Sequence, residues 1–243
     1  MEFIGIWLTG IGLCDAVAGL GGDVDDTERA ATGWFCGSTL ALLLSLGWGF
    51  SLGGAIVAAL WTAVTLGLWL WARRPDYWSK TRATWILTAV GLSLAFMLGV
   101  SAQLPSAAGG WLAERLERLP YSTLAEVDPS KVILGIGALF VLQATSNALI
   151  RLLLTMVGTS PLGPQDIRGG RIVGALERTL IWALGLAGEF TAAGLVISAK
   201  GLLRFPEISR EASERLHIVT EYLLVGSLAS WSLALAAIAL LAA

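Results

Sequence analysis

Apolar runs dominate the chain, and charge-free stretches measure it best, because a membrane-crossing helix needs about 20 mostly apolar residues. Ala30–Ala72 carries no charge, which is too long for one helix. Glycines at 47, 49, 53 and 54 mark a break near its middle, so the pattern predicts two spans, about 33–50 and 53–72. A third is expected over 84–104, before Pro105. Asp128-Pro129 is a helix start, an N-cap followed by proline at the first helical position, and opens a span over 131–157. Two more follow at 178–199 and 219–241. The first stretch, 3–20, is glycine-rich and interrupted by Asp15, so it either crosses or lies partly in the interface. The expectation is an all-α polytopic transmembrane helical bundle of six or seven spans, a single integral membrane domain over 1–243.

Two loop segments are amphipathic. Residues 111–119 place Leu112, Leu116 and Leu119 on one face and the charges on the other, and 207–218 repeats this more weakly through Ile208, Ala212 and Leu216. Both read as short interfacial helices, with a solvated loop helix as the alternative. Trp71, Trp78, Trp85, Trp111 and Trp231 fall near expected interfaces, whereas Trp34, Trp48 and Trp61 read as packing residues. Gly33/Gly37, Gly49/Gly53 and Gly170/Gly174 have the spacing of close helix contacts and are compatible with an oligomer.

Composition agrees with this pattern. Hydrophobic residues make up 56% and charged residues 14% of the 243, with a net charge of −2 and a mean hydropathy of +0.74. So few charges cannot cover a water-exposed surface. The single histidine and two cysteines cannot assemble the common haem, di-iron or zinc sites, so no metal or cofactor is expected. Cys14 and Cys36 lie in or beside apolar runs and read as buried hydrophobes, not as a disulfide framework. No basic cluster with interleaved aromatics offers a nucleic-acid footprint, and Met1-Glu2 lacks the positive region of a cleavable signal peptide. Asp23, Asp25 and Asp26 superficially resemble metal-binding aspartates of membrane transferases. Their spacing matches neither signature, so with Asp15 and Glu28 they read as a solvated acidic loop. No nucleophile–base pair or catalytic residue stands out, and the reading leans away from an enzyme.

The charges inside the apolar runs carry the functional expectations, since an ionisable group within a membrane is costly. Glu189 has ten apolar or neutral residues on each side. It is expected to face the bundle interior, protonated or paired, as an ion or proton site; a structural hydrogen bond is the plainer reading. Gln143, Asn147 and Arg151 recur every fourth residue and share one helix face, as a lined pathway or an interhelix network. Arg171 and Arg178 are two turns apart at a glycine-opened helix start suited to an anionic group such as a lipid phosphate, with Glu177 beside them. Lys200 and Arg204 form a second basic face, and Glu221 opens the last span, where the helix dipole favours it. Taken singly, such helix-end charges read as anchors and caps.

Loop charges orient the chain. Arg73, Arg74, Lys80 and Arg82 offset only Asp76 and mark a cytoplasmic loop. A full crossing at 178–199, the preferred reading, then puts the equally basic 200–218 segment outside. A hairpin bent at Gly185 and Gly188-Glu189 would instead keep both basic segments inside.

The segments Gly170-Arg171-Ile-Val-Gly174-Ala-Leu176-Glu177-Arg178, Ala199-Lys200-Gly-Leu-Leu-Arg204-Phe205 and Glu221-Tyr222-Leu-Leu-Val-Gly226-Ser227-Leu-Ala-Ser230 form a pattern. In it the C-terminal third, about 168–231, resembles an uncharacterised family of bacterial multi-pass membrane proteins of unknown function. The resemblance implies a bacterial cytoplasmic (inner) membrane setting. It also implies that Glu177, Arg178, Lys200, Arg204 and Glu221 act as one charged cluster. The leading expectation is a membrane protein that binds or transports a small ion or an anionic lipid headgroup. The alternative is a structural or adaptor subunit of a membrane complex. Membrane lipid is the expected partner, with a homo-oligomer or a complex partner also open.

Overall fold

A computed structural model describes residues 1–19, 26–72, 79–103, 109–118, 127–158, 170–210 and 215–242. Within its helices, the side chains of residues 26, 102–103, 170–172, 203–210 and 215–222 lie outside the description. The regular structure among the described residues is helical throughout: α1 Glu2–Gly19, α2 Asp26–Trp48, α3 Leu52–Ala72, α4 Lys80–Gln103 and α5 Trp111–Glu117. Then come α6 Pro129–Phe140, a π turn Val141–Thr145, α7 Ser146–Val157, α8 Gly170–Leu186, α9 Phe190–Arg210 and α10 Arg215–Ala242. Among the described residues six helices are long and apolar enough to cross a membrane: α1 to α4, the run Pro129–Val157, and α10 over Leu223–Ala242. The chain is thus an α-helical bundle of multi-pass membrane type. Large apolar side chains stand exposed on these helices, among them Leu52, Trp85 and Leu92, as a lipid-facing surface requires.

Contacts group the chain into two compact units, Met1–Pro75 with Thr88–Thr145, and Asp76–Leu87 with Ser146–Ala243. In the first, α1 is the central helix and packs against α2, α3 and α6. It is apolar nearly all round, the pattern of an interior helix, and it is long and apolar enough to cross. Close approach is possible because Gly33 and Gly37 of α2 meet α1. A Cβ on Gly33 would lie 2.6 Å from the Cys14 carbonyl oxygen. The small-residue face of α2 is therefore used within the chain. The expected Asp128-Pro129 start is present: the Asp128 carboxylate accepts from the Ser130 backbone N–H at 2.8 Å. The short helix at 111 also forms, but Ala113, Leu112 and Leu116 pack against Ile6, Ala41, Trp48 and Ile133. Its apolar face covers protein.

In the second unit, α7 to α10 pack together. Lys80 at the start of α4 lies against Gly158, at the end of α7 where the helix dipole favours a cation. The expected continuous span 178–199 is not present. The chain instead forms two helices, α8 and α9, with a turn at 187–189. Gly188 has φ +79°, a left-handed conformation that suits glycine. The Gly188 N–H donates to the Gly185 carbonyl at 3.1 Å and the Glu189 N–H to that of Leu184 at 2.9 Å, which closes α8. The two arms then pack antiparallel, with Ile181, Leu184, Ala193, Val196 and Ile197 sharing a core with Trp231 and Ala234 of α10.

Candidate functional site

The hairpin decides which charges meet. Glu177 precedes Gly188 by as many residues as Lys200 follows Glu189, so the antiparallel arms bring the two together, and they form an ion pair. Both are mostly covered, at 16% and 11% side-chain exposure. Arg178, the next residue, is only 1% exposed. Its Nη1 donates to Ser230 Oγ of α10 at 3.1 Å and its Nη2 to Asn147 Oδ1 of α7 at 2.9 Å. One guanidinium thus ties three helices through charge-assisted hydrogen bonds, the arrangement that lets a cation stay buried. Gly174, one turn earlier, leaves room for it: a Cβ there would lie 3.4 Å from Nη1.

Several expected site residues change role. Glu189 is not at the middle of a crossing helix facing the interior. It stands exposed at the hairpin turn, its carbonyl accepting from the Ala193 N–H at 3.0 Å as α9 begins. Of the stripe Gln143, Asn147 and Arg151, Gln143, in the π turn, and Arg151 are exposed, and Asn147 accepts from Arg178. The side chains of Arg171, Arg204 and Glu221 lie outside the described residues, although their backbones are helical. Trp231, expected near an interface, packs inside the second unit. No group of His, Cys, Asp and Glu able to hold a metal is found among the described residues.

Contacts along the helices give the level of this cluster. Arg178 reaches Ser230, and two turns later Gly185 lies against Ile238, so α8 and α10 run parallel in register. Ser230 is nine residues past Glu221, the last charge of α10, or about 13 Å at 1.5 Å per residue. Asn147 is ten residues before Val157, about 15 Å. The Arg178 layer therefore sits well inside the apolar length of both neighbours. The turn at Gly188 is level with the end of α10.

A second buried charge escaped the sequence reading. Asp15, 5% exposed, accepts from Trp69 Nε1 of α3 through both carboxylate oxygens, at 3.1 and 3.0 Å. Its signal was a charge interrupting the apolar stretch of α1, an interior helix. Glu2 is similarly buried and accepts from Ser130 Oγ at 3.1 Å. Both join α1 to neighbouring helices of the first unit. No protein-family model, curated protein or solved structure matches the chain.

Proposed function

We propose that this multi-pass membrane protein binds an anionic group, a lipid phosphate or a small anion, in the open half of the α8/α9 hairpin. One observation carries the reading: the turn at Gly188-Glu189 returns the chain so that Lys200 meets Glu177. The basic positions of both arms, 171, 178, 200 and 204, therefore share the half of the hairpin away from the turn. With Arg210 of α9 and Arg151 of α7 they amount to six cationic positions against two acidic ones, Glu177 and Glu207. Such an excess in a low-dielectric surrounding attracts anions. The hairpin also returns both flanking basic segments, 158–177 and 200–218, to one side. This satisfies the positive-inside rule that a single crossing strains, and accords with a bacterial cytoplasmic membrane. Glu189, at the far end of the hairpin, takes no part in binding on this reading. The adaptor alternative gains no support from Gly33 and Gly37, which are occupied within the chain.

Native mass spectrometry of the protein released from nanodiscs containing phosphatidylglycerol tests the proposal. Wild type and Glu189→Gln should retain a bound anionic species, and the pair Arg171→Ala with Arg204→Ala should lose it. Equal retention by the Arg pair, or none by wild type, contradicts the reading.

A further inference from the structure

We propose that a groove in the first unit holds one acyl chain of a membrane phospholipid, at a site independent of the anion binding proposed for the hairpin. Its floor is α1 and its walls are α2 and α6, both packed on α1. The short helix α5 packs on both walls and closes one end. Leu40, Leu44 and Trp48 line the groove from α2, Ile136 and Phe140 from α6, and Leu112 and Leu116 from α5. Its volume is about 330 Å³, more than twice the about 150 Å³ of a dry cavity that accepts benzene. The lining presents only carbon; the hydroxyl of Thr9, on the floor, donates to the Gly5 carbonyl at 2.7 Å. A polar group entering it would give up water without finding a partner. The occupant is therefore hydrocarbon.

Place and length select the kind of hydrocarbon. The Gly110 N–H donates to the Trp48 carbonyl at 3.0 Å, so α5 begins where α2 ends. Gly49, at φ +99°, turns the chain there from one spanning helix to the next, which makes this end a membrane face. Trp111 and Arg115 are exposed on one face of α5, and both residue types anchor at headgroup level. From Trp48 inward to Leu40 is eight residues, about 12 Å at 1.5 Å per residue. One leaflet offers about 15 Å of hydrocarbon, so an acyl chain entering at the face fills the groove along its length. Ile136, 41% exposed, stands at the open side. A helix from a second copy is too thick, since 12 Å of it displaces on the order of 1,000 Å³. Charge selects the headgroup. Glu114 pairs with Arg118, and Arg115, beside Leu116 of the lining, faces outward as a cation suited to a phosphate.

The test uses the full chain in micelles of a sterol-based detergent, whose rigid rings do not mimic an acyl chain. It is titrated with phosphatidylcholine carrying a photoreactive group in one acyl chain, and the labelled residues are mapped by mass spectrometry. Labelling at Leu44, Ile136 and Phe140 should saturate at about one lipid per chain, while labelling at exposed Leu92 of α4 rises in proportion to the probe. Leu44→Trp, which fills the groove, should abolish the first and leave the second. Arg115→Gln, on the surface of α5, should raise the half-saturating concentration about threefold. A groove that stays unlabelled, or is labelled only in proportion to the probe as Leu92 is, overturns the site. Equal half-saturation in Arg115→Gln, or saturable labelling by a photoreactive free fatty acid in place of the phospholipid, overturns the assignment to a phospholipid.

Discussion

Arg178 has the most interior position of any charged side chain described, and its surroundings explain why it is tolerated. Two neutral oxygens from two other helices accept its hydrogen bonds. Replacing it with methionine keeps the bulk but leaves Asn147 and Ser230 without their donor. The expected loss is about 3 kcal/mol of stability, measured by reversible unfolding in mixed micelles; a loss below about 1 kcal/mol would contradict a structural tie. Trp69→Phe leaves the Asp15 carboxylate without its indole donor and should cost about 2 kcal/mol. In an Asp15→Asn background the same change should cost clearly less, which a double-mutant cycle reads directly.

At this scale the sequence was informative about which residues are costly and silent about their partners. Asn147 stood out as a polar group in an apolar run and Arg178 as a charge at a helix entrance, yet their meeting depends on how α7 and α8 pack. Glu189 misled for a physical reason. Equal apolar flanks place a residue at the centre of one helix or at the tip of a hairpin, and spacing alone does not distinguish them. Asp15 was grouped with the acidic residues that follow it, although it alone of them lies within the apolar stretch.

Among the elements, the α8/α9 hairpin departs most from the simplest hydropathy reading. The residues 178–199 have the length of one crossing helix, which favoured a single span. The left-handed backbone at Gly188 decides otherwise. Gly188→Ala forces a side chain into that conformation and should cost about 1–2 kcal/mol, with the helix content retained by circular dichroism. The pairing across the arms is checked by charge exchange. Glu177→Lys and Lys200→Glu should each destabilise, and the double exchange should recover most of the loss, a coupling of about 1–3 kcal/mol. Additive losses would mean the two arms do not meet as described. The other elements were legible because their signals are local. The glycine break separates α2 from α3, Asp128-Pro129 starts α6, and charge-free lengths predict α3, α4 and α10 to within a few residues. The amphipathic pattern of α5 was also correct, but pattern alone does not say whether an apolar face meets lipid or protein.

For the whole molecule, six apolar spans and a helical hairpin among the described residues make a multi-pass protein, and the proposed function rests on the charges of the second unit. Composition alone established the membrane class, and the positive-inside conflict in the last loops was the sequence signal that favoured the hairpin alternative. The central claim is that α8 and α9 form a hairpin that crosses the layer, with its charge cluster inside and its turn at the far face. Cysteine accessibility in sealed vesicles tests this most directly, using Gly170→Cys, Glu189→Cys and Arg210→Cys singly in a chain whose Cys14 and Cys36 are replaced by serine. Positions 170 and 210 should react with a membrane-impermeant maleimide from the same side, and 189 from the opposite side only. Reaction of 170 and 210 from opposite sides, or of 189 from neither, would contradict the account.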